Sequence, residues 1–393
     1  MTAVGKITEI CSADKCTGCG ACIAKCPRQA VRLKFDPERL SRRTVVDDKL
    51  CIQCGMCRQA CPVVTPPFRK TPGHAIALWL RDVQKAARSS SGGAAQGFTD
   101  YVLEQGGVVV GAGFTADGKL VHTIAETREV AANFCGSKYV QSDFSSVYST
   151  VENRLKAGRT VLVFGTPCQI AGLYGFLGQE YDKLLTVDLV CHGVPVYDLF
   201  ADYLREIIGS RHYTHVMFRQ RNGYCFKLFE KSKRLYSCEG TLDWYLLAFM
   251  YGLSFRVNCY SCPYACPERV GDITLGDFWG IDYSALPELP PNRGISLALL
   301  HTDKGRKLFE AVKERFVWTE RPIEEAVRGN NQLRTPFALH PDRAVFLKEL
   351  KDRGIRRAAA RTSLKKIYYK NLMKLPLRKI YHWLLDFHYS KMN

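Results

Sequence analysis

Two copies of one cysteine pattern, Cys16-x-x-Cys19-x-x-Cys22-x-x-x-Cys26-Pro27 and Cys51-x-x-Cys54-x-x-Cys57-x-x-x-Cys61-Pro62, restrict the fold of this chain more than anything else in it. Three thiolates at such intervals wrap one face of a 4Fe-4S cubane. The fourth, followed by proline, turns away and in two-cluster ferredoxins ligates the other cluster. The spacing therefore predicts a crossed pairing, with Cys16, Cys19, Cys22 and Cys61 on one cluster and Cys51, Cys54, Cys57 and Cys26 on its partner. Zinc sites pair two C-x-x-C arms across a loop and do not string three cysteines in this way.

At 393 residues the chain is far longer than a dicluster ferredoxin and has room for about two or three domains. Its 17 cysteines fall largely into metal-type groups within a sequence rich in Val, Leu and aromatics, which points to a reducing compartment rather than a disulfide scaffold. No apolar h-region precedes the first cysteines, and no stretch reaches the roughly 18 apolar residues of a membrane span. The expectation is a cytoplasmic protein. The formal charge of +18 counts every cysteine as neutral, and each oxidised cluster with its thiolates would offset part of it with a doubly negative charge. Much of the excess lies between Lys351 and Asn393, where twelve Lys and Arg face only Asp352 and Asp386. Such a stretch suits a solvated helix, an anionic lipid surface or an acidic protein. No nucleic-acid recognition motif accompanies it, so nucleic acid is not an expected partner.

Along the chain, residues 1–66 form the dicluster module, with Lys34 to Asp48 a polar insertion between its halves and Thr65-Pro66-Pro67 closing it. His74 to Ala87 reads as an amphipathic helix or a strand leading into one. Ser89-Ser90-Ser91-Gly92-Gly93 then stands where a helix N-terminus would offer amide donors to a phosphate. The middle alternates: strands at Gly107–Gly111, Leu120–Ile124, Thr160–Phe164 and Leu184–Val190, helices at Ser146–Ala157, Gln169–Leu177 and Tyr197–Ile208. Antiparallel strands follow from Val216 to Cys238, then a helix at Thr241–Leu253, strands at Ile273–Leu275 and Ser296–Leu300, and a helix at Asp303–Arg315. The fold class is a multidomain α+β/α/β chain: a bacterial-type dicluster ferredoxin module (1–66), an α/β domain (67–340) and a basic helical C-terminal tail (341–393).

Further cysteines lie at Gly165-Thr166-Pro167-Cys168-Gln169, Cys191-His192-Gly193-Val194-Pro195 and Cys259-x-x-Cys262-x-x-x-Cys266. Cys168 and Cys191 each end a buried strand, where open α/β sheets place their ligands. With the Cys259/Cys262 arm they are candidates for a third cluster; the alternative is two ordinary buried cysteines beside a zinc arm. His192, next to a candidate ligand, suits either an outer-sphere hydrogen bond or a structural place. Cys11, Cys135, Cys225 and Cys238 carry no motif and read as buried hydrophobes.

On these motifs, together with Ser90-Ser91-Gly92-Gly93, Gly136-Ser137-Lys138-Tyr139-Val140-Gln141-Ser142 and Gly271-Asp272-Ile273-Thr274-Leu275-Gly276-Asp277-Phe278-Trp279-Gly280, the chain resembles the coenzyme F-420 hydrogenase/dehydrogenase beta-subunit family, which includes 7-hydroxymethyl chlorophyll a reductase. The resemblance runs from Cys16 to about Glu310. It implies an iron-sulfur flavoprotein with FAD in the domain 67–340 and a cluster close to the flavin. The third arm of the family is commonly C-x-x-C, so Cys266 departs from the pattern and leaves five candidates for four positions: Cys168, Cys191, Cys259 and Cys262, with Cys266 the alternative to Cys168. Carried over residue by residue, FAD would be held by Ser91, Gly92, Gly93, Ser137, Lys138, Tyr139, Gly165, Thr166, Pro167 and Gln169. Gly92-Gly93 would admit a pyrophosphate, and Lys138 would pair with phosphate or the reduced flavin.

The expected function is an FAD-dependent iron-sulfur oxidoreductase. It would pass electrons between a ferredoxin or redox partner subunit and a small-molecule or lipid-linked substrate, since a flavin joins one- to two-electron chemistry. The other reading is a non-catalytic electron-transfer subunit of a larger hydrogenase, dehydrogenase or membrane complex. The basic tail would allow peripheral contact with the inner face of the membrane.

Overall fold

The computed structural model describes residues 7–220, 223–286 and 294–376. At the N-terminal end the sequence repeat is also a repeat of backbone. One-turn helices Ala21–Ala24 and Met56–Gln59 each follow a left-handed glycine, Gly20 and Gly55, and carry the third cysteine of their motif. The polar insertion between the motifs is an antiparallel hairpin, β1 (Val31–Asp36) and β2 (Ser41–Val46).

The segment from His74 divides into strand β3 (His74–Leu80) and a short helix, Val83–Arg88. The chain continues through β4 (Val108–Phe114), β5 (Leu120–Ala125), β6 (Val161–Gly165) and β7 (Leu184–Leu189). A three-stranded antiparallel sheet of β8 (His215–Gln220), β9 (Gly223–Glu230) and β10 (Lys233–Glu239) follows. Then come β11 (Ile273–Asp277), β12 (Ser296–Leu300) and β13 (Phe316–Arg321). The main sheet has the order β13-β3-β12-β11-β7-β6-β4-β5. Its centre, β11, β7, β6 and β4, is parallel; the pairs outside that centre are antiparallel.

Unbroken apolar runs such as Val108-Val109-Val110 belong to strands covered on both faces. Alternation sends Val108, Val110, Val161 and Val163 to one face and Val109 and Leu162 to the other. The first face packs on helices Tyr148–Lys156 and Pro167–Leu177 together with Ala21 and Ala60 of the dicluster module, so the two regions share one core. The second face packs on helices Ala94–Glu104 and Asp303–Val312. A separate core gathers the three-stranded sheet, helices Tyr197–Ile208 and Trp244–Met250, and Phe346, Ile355, Ala358, Ala359 and Leu364. The segment read from its charge as a tail is therefore part of a hydrophobic core as far as Leu364, and Tyr368 stacks on Trp244 with centroids 4.4 Å apart. Residues 377–393 of that tail lie outside the described residues.

Candidate functional site

The crossed arrangement predicted from spacing has a geometric counterpart. One cavity is lined by Cys16, Cys19, Cys22 and Cys61, another by Cys26, Cys51, Cys54 and Cys57. Cys11 also lines the first cavity, and its thiol hydrogen-bonds with Cys16 and Cys61. It is therefore not the inert hydrophobe its surroundings in the sequence suggested. Those bonds raise the Cys11 thiol and lower Cys16 to about 6 and Cys61 to about 7. Burial pushes Cys19 up to about 12 and raises Cys22 further. Thiols held neutral in this way must lose protons when a metal binds, so cluster uptake releases protons.

The third group is built by the parallel sheet. Gly165 of β6 is in register with Asp188 of β7, and Cys168 and Cys191 each stand three residues further on. The 3-10 helix Val257–Ser261 brings in Cys259, and Cys262 caps it. These four thiols are close enough for each thiolate to disfavour its neighbours: Cys259, Cys168 and Cys262 act on Cys191, and Cys262 acts on Cys168. Burial is the larger cause of the raised values, about 11 at Cys262. Cys266 also acts on Cys262, and it has bonds of its own. Its sulfur accepts from Arg69 at 3.2 Å and donates to Glu268 O at 3.1 Å. Among the described residues no three or more His, Cys, Asp or Glu converge tightly enough to hold a single metal ion. The cysteines that line the two cavities carry the thiolate chemistry that 4Fe-4S clusters use.

A buried hydrogen-bond relay positions Cys168. The Nε2 of His122 bonds to Phe164 O at 3.0 Å, so this nitrogen carries the proton and Nδ1 accepts from Ser142 Oγ at 2.9 Å. Ser142 Oγ in turn accepts from Gln169 Nε2, whose Oε1 accepts from Thr166 N and Thr166 Oγ. Thr166 Oγ lies 3.2 Å from Cys168 Sγ. Thr166 and Gln169, expected near FAD, thus form a capping box at the start of helix Pro167–Leu177 and orient the cysteine inside it. Sequence reading missed His122, and it missed two buried arginines on the third arm. Arg269 bonds Asp188 Oδ1 at 3.2 Å and Tyr264 O at 2.6 Å. Arg256 reaches into the dicluster module.

The same helix joins the two thiol regions. A Cβ on Gly172, one turn after Cys168, would lie 2.9 Å from Cys19 Sγ, and one on Gly175 would lie 2.4 Å from Ala60 O. Tyr148, packed beside Gly172, donates to Cys19 O at 2.8 Å.

The remaining residues expected at FAD form a linked set. Ser137 N donates to Ser90 Oγ at 2.6 Å, so the Ser89–Gly93 loop meets the Gly136–Ser142 segment. Ser142 joins that segment to Gln169. Ser91 Oγ bonds Ile295 O at 2.9 Å, and Gly92 has Leu78 O where a Cβ would stand. Gly93 is the N-cap of helix Ala94–Glu104. The Lys138 ammonium donates to the carbonyls of Asn133, Phe134 and Cys135, and burial pushes it down to about 8. Tyr139 stacks on Phe249 with centroids 4.5 Å apart. Gly165 closes β6, and Pro167 is the first residue of the following helix. His192 is exposed. In this arrangement Lys138 is spent on three carbonyls, Ser90 on Ser137 N and Ser91 on Ile295 O, so a dinucleotide held by these segments would have to displace contacts they make with protein.

Fold and site define an iron-sulfur protein of mixed α/β build with an N-terminal dicluster module. Residues 15–64 match a family model described as a 4Fe-4S dicluster domain. Residues 158–326 match a family model described as the C terminus of the coenzyme F420 hydrogenase/dehydrogenase beta subunit, in line with the resemblance of the motifs to that family. It is 29% identical over 207 residues to the coenzyme F420-dependent sulfite reductase of Methanocaldococcus jannaschii, covering 51% of this chain and 31% of that protein. It is 27% identical over 209 residues to the F subunit of the F(420)H(2) dehydrogenase of Methanosarcina mazei, covering 50% of this chain and 59% of that one. The chain therefore spans between about a third and three fifths of the length of these curated relatives. A chain of the F420-reducing [NiFe] hydrogenase complex from Methanosarcina barkeri aligns with 80% of this chain and 95% of its own at 18% identity, with a TM-score of 0.45.

Proposed function

We propose that this chain is an iron-sulfur flavoprotein oxidoreductase that passes electrons between a ferredoxin-like partner and a substrate by way of 4Fe-4S clusters and FAD. Cys16, Cys19, Cys22 and Cys61 hold one cluster, Cys26, Cys51, Cys54 and Cys57 a second, and Cys168, Cys191, Cys259 and Cys262 a third. FAD is held by the segments around Ser91–Gly93, Ser137–Tyr139 and Gly165–Gln169. When bound, these groups supply one-electron exchange at the clusters and one- or two-electron exchange at the flavin. The chain's own residues set the geometry: the His122–Ser142–Gln169–Thr166 relay fixes Cys168, and Lys138 holds a positive charge beside the flavin segments.

The observation that carries the reading is helix Pro167–Leu177, which bears Cys168 at its start and packs against Cys19 one turn later. That contact supports a continuous redox path between the dicluster module and the α/β domain. Anaerobic protein is expected to hold about twelve iron and twelve acid-labile sulfide per chain with one FAD, and Cys259→Ser with Cys262→Ser to lower the iron by about four. Eight iron in the wild type would remove the third cluster; absence of FAD after reconstitution would remove the flavin.

The reading as a pure electron-transfer subunit draws on the second motif, where Cys54 is exposed and Ile52 is 59% exposed, a surface suited to docking a redox protein. Reduction of the flavin band by NADH, NADPH, reduced F420 or reduced ferredoxin separates the two. A small-molecule donor that works alone supports the enzyme; response to a redox protein only supports the electron-transfer role.

A further inference from the structure

Arg256 is 1% exposed, and every acceptor around it is neutral. Its Nη2 donates to Cys16 O at 2.9 Å and to Arg42 O at 3.2 Å. Its Nη1 donates to Thr17 O and to Gln141 Oε1, the latter at 2.5 Å, and Nη2 and Nε both reach Ser41 Oγ. Among the described residues no carboxylate joins this set. A guanidinium does not give up its proton in a protein, and a buried charge with no opposite charge is costly. The fold tolerates this cation, so an anion should lie nearby. Its fork sits on the carbonyl of Cys16, and its own carbonyl holds the amide of Cys259, so the charge stands between two groups of candidate cluster ligands.

The backbone of the same residue joins the two arms of the third group. Arg256 N donates to Val194 O at 3.1 Å, on the loop after Cys191, and Arg256 O accepts from Cys259 N at 3.0 Å. Gln141, whose Oε1 Arg256 holds, donates in turn to Thr17 O at 3.1 Å. One residue thus grips the Cys16–Gly18 loop by its side chain and the Cys191 and Cys259 arms by its main chain.

We propose that Arg256 is the shared counter-cation and positioning residue of the first-motif cluster and the third cluster, fixing their separation and favouring the extra negative charge each takes on reduction. The inference rests on the three-cluster reading above. A lysine keeps the charge but not the planar fork of donors, whereas methionine keeps roughly the shape and loses both.

The test uses full-length anaerobic protein: wild type, Arg256→Met and Arg256→Lys, each assayed for iron and sulfide and titrated by EPR-monitored potentiometry. In R256M the reduction equilibria of the first-motif and third clusters should fall about tenfold, a shift of about 59 mV for one electron. The second-motif cluster should stay in place as the internal reference. R256K should shift them less than half as far. If R256M sheds iron, loss from the first-motif and third sites together, with the second-motif signal left, supports the positioning role, and loss confined to one site overturns it. Unchanged potentials at full iron overturn the proposal, as does an equal shift of all three clusters or failure of both variants to fold. A wild type with eight iron would refute the three-cluster reading, leaving the effect on the first-motif cluster still measurable.

Discussion

His122 is 2% exposed, and burial holds its imidazole far below the usual range, at about 3. The unfolded chain, with a histidine near 6.5, binds this proton more readily than the folded one. The relay's contribution is therefore complete above about pH 6.5 and is lost as pH falls toward 3, costing about 2 kcal/mol by pH 5. His122→Gln should be less stable than wild type at pH 7.5, and the gap should narrow toward pH 5 when both are followed by urea unfolding. A gap independent of pH would show that the imidazole does not titrate across this range. His122, Cys11 and Arg256 escaped the sequence for one reason. The eight motif cysteines announce themselves by local spacing, whereas Arg256 finds Cys16 across 240 positions and His122 reaches Cys168 only through three intermediaries. Cys11 lacks a motif of its own because it borrows the cavity of another.

At the scale of elements, the alternating strands and helices between Gly107 and Ile208 were readable from apolar runs and their breaks, since a parallel sheet buried on both faces needs unbroken Val and Leu. The β1–β2 hairpin was not, because its half-exposed strands are rich in Lys and Arg and read as a polar insertion. Its importance is tertiary: Arg42 pairs with Asp198 at 2.7 Å and Ser41 receives Arg256. Helix Pro167–Leu177 was readable as a helix, but its glycines were not readable as a contact face. At Gly175 a side chain would meet backbone, Ala60 O, which cannot yield as a flexible side chain can. Gly175→Val should therefore pry the dicluster module from the sheet, lowering the unfolding free energy by about 1–3 kcal/mol and speeding iron loss to a chelator. Wild-type stability and iron retention in this variant would mean that the module is not seated on the helix.

For the molecule as a whole, the sequence reading placed a boundary at Pro341 where the chain turns basic and helical, whereas the structure shows a basic segment whose inner face is core. Arg343 donates to Leu253 O, Phe346 and Leu364 are fully buried, and Asn371 Nδ2 bonds Thr241 O at 3.0 Å. Charge marks what faces water and says nothing of the apolar residues between. From 364 to 376 the outer face shows Lys365, Lys366, Lys370 and Lys374 beside exposed Tyr369, Leu372 and Met373, a mixture suited to an interface. Among the described residues no helix is long and apolar enough to cross a membrane. Each cation near an anionic surface contributes about 1 kcal/mol, so reversible attachment to anionic lipid is a testable expectation for this segment. Truncation after residue 376 should leave iron and solubility unchanged while weakening co-sedimentation with phosphatidylserine vesicles at low salt, and 0.5 M salt, about an order of magnitude above the low-salt condition, should release the full chain. Truncation after Pro341 should instead give insoluble or iron-poor protein, because it removes core. Full-length protein that never binds such vesicles at low salt would show that the outer face meets water or a protein partner instead.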